Sequence, residues 1–210
     1  MVLRGQNIRR FETKSRASQK KLFDANHLLQ SGQTARERGD LSTAVQEFTR
    51  VTEKFPCLEE GFVALGSTLL DMGRVADALP ALHRAAELAP QSITRHLQLG
   101  SALLRCSDLR GAEEAFKKAR QADPMSLQTA VSLINLYKGQ NRQIEARVIV
   151  RELITENSDR AGILALLGSM SVDLKDPEGV IMALQYIEII DSNHSALNIL
   201  RNALSALGEN

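Results

Sequence analysis

The sequence has few of the features that mark membrane, disulfide-bonded or strongly charged proteins. It has no tryptophan, two tyrosines and only two cysteines, Cys57 and Cys106, in 210 residues. No apolar run approaches the roughly 18–20 residues that a membrane-spanning helix requires. The formal net charge is only +1, so bulk charge selects neither nucleic acid nor an anionic membrane. We therefore expect no membrane insertion and interpret the cysteines as reduced thiols.

Signatures of catalysis and of cofactor or metal binding are missing as well. There is no glycine-rich dinucleotide or phosphate loop, no His-Glu-x-x-His and no Gly-x-Ser-x-Gly. The four histidines are scattered along the chain, and the cysteine pair lacks the spacing of metal ligands. We therefore predict no enzymatic activity, no cofactor and no metal.

The first 24 residues differ from the remainder in charge, because they hold seven basic and two acidic side chains. No apolar stretch typical of a secretory signal accompanies them. We interpret residues 1–24 as a solvated basic leader, with a transit peptide or a nucleic-acid-binding arm as alternatives. The absence of a signal favours a cytoplasmic location, and a periplasmic one stays open if a signal peptide has been trimmed away.

The chain does contain an internal repeat. Leu-Gly-Ser occurs at 65–67, 99–101 and 167–169, so that its starts are separated by 34 and then by 68 residues. Three prolines share the 34-residue spacing, and each follows an amphipathic stretch that a proline would end: Pro56, Pro90 and Pro124. Two independent signals therefore give one period.

Pairs of a small and a larger residue, four apart and so on one helical face, repeat at the same phase. These pairs are Ala44 and Phe48, Ala78 and Leu82, Ala112 and Phe116, and Ala146 and Val150. Each unit is expected to form two helices around a tight turn. The units are 25–58, 59–92, 93–126, 127–160 and 161–194, followed by a C-terminal segment, 195–210.

Glycines lie in the middle of the first predicted helix, where glycine costs about 1 kcal/mol relative to alanine. They are Gly32, Gly66, Gly100 and Gly168. We expect each to let the paired helix approach closely, with a bulky residue of the second helix filling the space beside it.

These motifs resemble the tetratricopeptide repeat family over residues 25–194, although Ser158 and Ser192 replace the closing proline and Ile134 replaces the glycine. The resemblance implies an all-α fold, a right-handed superhelix of about five helix-turn-helix repeats. The C-terminal segment, with Leu197, Leu200 and Leu204, is expected to form a capping helix.

The resemblance also implies a non-catalytic scaffold or adaptor that binds a peptide or helix of a partner protein in a concave groove lined by the first helices. The corresponding residues are Leu29, Gln30, Gln33, Arg36, Val63, Ser67, Leu70, Leu97, Gln98, Ser101, Leu104, Arg105, Val131, Asn135 and Lys138.

Some members of the family hold the acidic C-terminus of heat-shock chaperones with a clamp of lysine, arginine and asparagine side chains. The corresponding places here hold uncharged residues: Leu29, Gln33, Ala64, Thr94 and Gln98. Because these side chains cannot neutralise two carboxylates, the acidic chaperone motif is disfavoured as a partner.

The last repeat is apolar on more than one side, so we also expect a homodimer surface on the C-terminal helices. Two alternatives to a free-standing scaffold stay open. The chain could be the regulatory or substrate-holding domain of a larger enzyme or of a secretion or assembly machine. Nucleic-acid binding through the basic leader is a lower alternative, because no aromatic stacking row accompanies it.

Overall fold

In the computed structural model, which describes residues 22–208, the chain is all-helical, with no strand in that range. Short turns join the helices. The helices are α1 (22–37), α2 (Leu41–Lys54), α3 (Glu59–Asp71), α4 (Val75–Leu88), α5 (Ile93–Arg105), α6 (Leu109–Ala122), α7 (Leu127–Gly139), α8 (Gln143–Glu156), α9 (Ala161–Asp173), α10 (Pro177–Ile190) and α11 (Ala196–Gly208). The expected all-α class with helix-turn-helix repeats is confirmed. Residues 1–21 of the predicted leader lie outside the described range.

The turn within each repeat has one recurring geometry. One residue adopts a positive φ, and the next amide donates to a carbonyl five residues back, which closes the preceding helix. In the first turn these are Gly39, with φ of 80°, and the bond from Asp40 N to Ala35 O of 2.9 Å. Residues with positive φ recur every 34 positions: Gly39, Gly73, Ser107, Asn141 and Lys175. The 34-residue period is therefore seen in the backbone conformation as well as in the side-chain pattern.

The glycines of the first helices pack as expected in the first two repeats. A Cβ built on Gly32 would lie 2.5 Å from the Phe48 ring, and one on Gly66 would lie 2.7 Å from Leu82 Cδ2. Phe48 and Leu82 are both buried. The missing side chain thus gives the second helix the space in which its bulky residue sits.

The C-terminal helix α11 packs on α9 and α10, which confirms the expected capping helix. Its Leu197 and Leu200 are buried. A Cβ on Gly168 would lie 2.8 Å from Leu200 Cδ1 and 3.1 Å from Ala183 Cβ. In the last repeat, the bulky group over the glycine therefore comes from the capping helix, and only the small Ala183 comes from the second helix of the repeat.

The helices divide into two compact units, an N-terminal unit (Met1–Asp108) and a C-terminal unit (Leu109–Asn210). In the N-terminal unit, His96 of α5 is buried, and its Nε2 lies 2.9 Å from the Pro90 carbonyl oxygen. Across residues 22–208, no helix is both long and apolar enough to cross a membrane.

Candidate functional site

In the N-terminal unit, the predicted site residues lie on α1, α3 and α5. Leu29, Gln30 and Gln33 line a shallow cavity of about 420 Å³ between α1 and α3. Its apolar side is formed by Phe48, Leu29 and Ala64, which belong to one packed cluster around α1 and α2. The structure therefore brings part of the predicted set together around a real depression.

Charged residues near the ends of these first helices form ion pairs with the first helix of a neighbouring repeat. Arg36 at the end of α1 donates to Asp71 Oδ2 of α3 from Nε at 3.0 Å and Nη2 at 2.5 Å. Arg95 near the start of α5 donates to Glu59 Oε1 at 2.5 Å and to Gln98 Oε1 at 3.3 Å. Arg36 and Arg95 are thus held by neighbouring repeats and are less available to a ligand than exposed cations would be.

The predicted residues differ in how much surface they offer. Gln30, Gln33, Ser101 and Arg105 are exposed, while Leu29, Arg36, Val63, Ser67, Leu70, Gln98 and Leu104 are half-buried. Leu97 is only 8% exposed. The expectation that Leu97 is open to a partner needs correction, because burying its apolar surface makes it part of the packing.

In the C-terminal unit, the predicted residues lie on α7. Val131 is half-buried, and Asn135 and Lys138 are exposed. Lys138 Nζ lies 3.6 Å from Asp173 Oδ2 of α9. This pair has the same repeat phase as Arg36 and Asp71, so both units join neighbouring first helices at this position.

The prediction missed residues that share these surfaces. Glu37 and Glu60 line the cavity between α1 and α3, and Leu166 of α9 is 54% exposed. Phase within the repeat is the signal that could have found them, because Glu37 corresponds to Asp71 and Arg105, and Leu166 corresponds to Gln98. The fifth repeat was left out of the predicted set altogether.

A network of ionic contacts links the third and fourth repeats inside the C-terminal unit. Glu113 of α6 accepts from Arg142 Nη1 at 2.5 Å and from the Tyr137 hydroxyl at 3.1 Å, and it pairs with Lys117 Nζ at 2.7 Å. The Arg142 guanidinium also stacks 4.4 Å from the centre of the Tyr137 ring. Hydrogen bonding from Arg142 is the main cause that lowers the pKa of Glu113 from 4.5 to about 2.

At the boundary between the fourth and fifth repeats, the basic residue comes from the earlier repeat and the acidic residue from the later one. Arg151 of α8 donates through two nitrogens to the fully buried carboxylate of Asp176, which directly precedes α10. Arg147 donates to the carbonyl oxygens of Leu174 and Lys175 at 3.0 and 2.9 Å. These contacts satisfy buried polar groups between repeats, and we assign them to packing.

Within residues 22–208, no three of the histidine, cysteine, aspartate and glutamate side chains are grouped so as to hold a metal ion. Both cysteines are exposed free thiols: Cys57 lies in the turn between α2 and α3, and Cys106 directly follows α5. The arrangement on the first helices is suited to contact with another chain.

The tetratricopeptide repeat family model matches residues 63–126. No curated protein sequence matches the chain. The family match covers α4, α5 and α6 completely, and these lie in the two repeats with the most regular motifs.

Solved structures share the fold at low sequence identity. A MamA protein is 20% identical with a TM-score of 0.60, over 81% of this chain and 95% of that one. YrrB, described as a tetratricopeptide protein with an unusual peptide-binding site, is 13% identical with a TM-score of 0.57, over 90% and 97%. The first tetratricopeptide domain of Spaghetti, bound to an HSP90 peptide, is 15% identical with a TM-score of 0.50, over 56% and 93%.

Proposed function

Because this chain is a tetratricopeptide repeat protein, we propose that it is a scaffold that holds a segment of a partner protein on the exposed side of its first helices. The tetratricopeptide fold is generally a non-catalytic module for protein interaction, although such repeats also occur within larger enzymes. The observation that carries the proposal is the cavity between α1 and α3, where amide side chains surround an apolar floor. Amides can bond the backbone of a bound segment while the floor takes a side chain.

Two neighbours in structure support this proposal by their descriptions, since one has a peptide-binding site and the other is bound to a peptide. The residues we assign to contact in the N-terminal unit are Leu29, Gln30, Gln33, Arg36, Val63, Ser67, Leu70, Gln98, Ser101, Leu104 and Arg105. In the C-terminal unit they are Val131, Asn135 and Lys138. An acidic chaperone tail stays disfavoured, because the places of the clamp hold uncharged side chains.

The test is recovery of partner proteins from a native lysate. A variant with Gln30→Arg and Ser101→Arg places bulky charges on α1 and α5 at exposed positions, so the fold should persist. A matched control, Gln46→Arg and His83→Arg, makes exposed changes on the second helices α2 and α4. We expect a partner recovered with the wild type and the control to be lost with the first variant. Equal recovery with all three proteins would contradict the proposal.

We also propose that the C-terminal helices mediate self-association. Ile189 of α10 is 81% exposed and Ile199 of α11 is 66% exposed. Between these helices, Arg201 donates to Glu188 at 2.9 Å, so an ion pair accompanies the two apolar side chains. An exposed apolar surface beside polar groups is typical of a contact with another chain.

Light scattering at several protein concentrations tests this second proposal. The wild type should approach the mass of a dimer at high concentration, while Ile189→Glu with Ile199→Glu should stay monomeric. Ile144→Glu is the control, because Ile144 is exposed on α8. A wild type that is monomeric at every concentration would exclude the contact.

A further inference from the structure

We propose that the cavity between α1 and α3 takes a lysine or arginine side chain of the partner segment. This inference rests on the proposed function and adds the chemistry of the ligand. Among residues 22–208, the charged residues that line the cavity are Glu37 and Glu60, and no basic residue of that range lines it. Both glutamates are exposed and have no ion-pair partner among residues 22–208.

The basic residues on either side of Glu37 in the sequence, Arg36 and Arg38, do not line this cavity. The Arg36 guanidinium is held by Asp71 at 2.5 Å, and Arg38 lines a separate depression together with Asp40. Two polar side chains of the cavity wall, those of Gln33 and Thr34, also have hydrogen-bond partners within the chain. Gln33 Nε2 donates to Glu37 Oε1 at 3.2 Å, and Thr34 Oγ1 donates to the Gln30 carbonyl oxygen at 2.8 Å.

Because the cavity has an apolar floor, it can select a ligand side chain more specifically than two surface carboxylates alone could. Phe48 is buried beneath it, and Leu29 and Ala64 pack against the same cluster. A lysine or arginine has a long aliphatic stem that favours apolar surface and a charged head that favours water or a counter-charge. The stem therefore fits over Leu29 and Ala64 while the head lies between Glu37 and Glu60.

Charge complementarity decides among side chains of similar size. An acidic side chain would be repelled by two carboxylates, and an apolar one would leave them facing a desolvated surface without a partner. A basic partner segment satisfies both the floor and the carboxylates. This also fits the absence of a clamp for acidic tails.

Fluorescence anisotropy with defined peptides on the full chain tests the proposal. The probes are a 12-residue peptide of alternating alanine and lysine, its glutamate counterpart, and a counterpart with diaminobutyric acid, whose stem is two methylenes shorter. We expect only the lysine peptide to bind well, with the shorter stem weakening binding about tenfold. If the lysine and diaminobutyric acid peptides bind equally well, binding comes from diffuse electrostatic attraction and does not depend on the stem. That result would overturn the proposal.

A charge-matched pair of variants locates the site. Glu37→Gln with Glu60→Gln should weaken the lysine peptide about tenfold, as expected for the loss of charge-assisted hydrogen bonds. Glu53→Gln with Glu87→Gln removes the same charge from exposed positions on α2 and α4 and should leave binding within about twofold. Equal loss in both pairs would overturn the cavity as the site.

Two other occupants are distinguished by the same measurements. If the Glu37 and Glu60 variant lowers the mass of the protein in solution, a second copy fills the cavity and the proposal fails. If neutralising Lys14, Arg16, Lys20 and Lys21 to glutamine raises peptide affinity more than tenfold, the basic leader of the chain is the occupant and the proposal fails.

The lysate experiment separates this inference from the proposed function. A partner lost with the Gln30→Arg and Ser101→Arg variant but retained with Glu37→Gln and Glu60→Gln would leave the first helices as the binding surface and reject the basic side chain. Retention with both variants would reject the proposed function itself.

Discussion

At the scale of single residues, the glycines of the first helices are positions where the absence of a side chain is a packing requirement. Gly32→Ala would bring a Cβ within 2.5 Å of the Phe48 ring, which is buried and cannot move aside. Overpacking costs about 1–3 kcal/mol, while alanine returns about 1 kcal/mol of helix propensity. We expect the free energy of unfolding to fall by up to about 2 kcal/mol in urea denaturation.

A second glycine provides the control for that prediction. Gly162 lies in α9, and a Cβ there would meet nothing within 4 Å. Gly162→Ala should therefore raise the free energy of unfolding by about 0.5–1 kcal/mol. A stabilising effect of Gly32→Ala as well would show that the Phe48 ring yields at little cost.

The carboxylate of Glu113 gives a prediction about pH. Its pKa is about 2 in the folded chain, below the ordinary value of 4.5, chiefly because Arg142 donates to it. Between those values the unfolded chain binds more protons than the folded one, so the stabilisation present above pH 4.5 is lost as the pH falls towards 2. Glu113→Gln should lower the free energy of unfolding by about 1–2 kcal/mol at pH 7.

Urea denaturation at pH 7, 4 and 3 checks this, with the difference between wild type and Glu113→Gln shrinking at each step. Glu114→Gln is the control, because Glu114 is exposed and its pair with Arg110 spans 3.4 Å. We expect it to change stability by less than about 0.5 kcal/mol at any of these pH values. If the difference in the free energy of unfolding between the wild type and Glu113→Gln does not change with pH, the lowered pKa of Glu113 is contradicted.

At the scale of elements, the capping helix α11 completes the last repeat. Leu200→Ala removes the group that covers Gly168 and leaves a cavity between α9 and α11. Truncating a buried leucine costs about 2–5 kcal/mol, and we expect a loss in that range in chemical denaturation. Ile144→Ala is the control, because Ile144 of α8 is 74% exposed and its truncation should change stability by less than about 0.5 kcal/mol.

The turns illustrate how much local structure could be read from the sequence. Gly39 and Gly73 are readily identified as turn residues, because glycine adopts positive φ without steric cost. Ser107 and Lys175 occupy the same position with φ of 61° and 53°, yet neither residue type predicts that conformation. The period of the repeat imposes it there, since the flanking helices must pack as they do elsewhere.

At the scale of the whole molecule, repeats contact mainly their neighbours, so damage to one should spread little. Hydrogen exchange followed by mass spectrometry can measure this in Leu200→Ala. We expect faster amide exchange in α9, α10 and α11, with α3 and α4 close to wild type. An equal increase in both units would show that the chain unfolds as one cooperative body.

The candidate site was predicted only in part from the sequence. The phase of the repeat identified Gln30 and Gln33, which do line the cavity, because side-chain direction on a helix follows from position alone. It did not reveal that Leu97 is buried or that Arg36 is paired with Asp71. Burial and pairing depend on atoms of other helices, which periodicity does not specify.

The helical class and the 34-residue period can be predicted from residue order alone, because apolar spacing and prolines act over a few residues. The distant groups that meet are seen only in the packed chain: Leu200 lies over Gly168, and Glu37 and Glu60 line one cavity. Such contacts join residues more than 20 positions apart. They are selected by shape and charge after the helices pack, so local patterns cannot encode them.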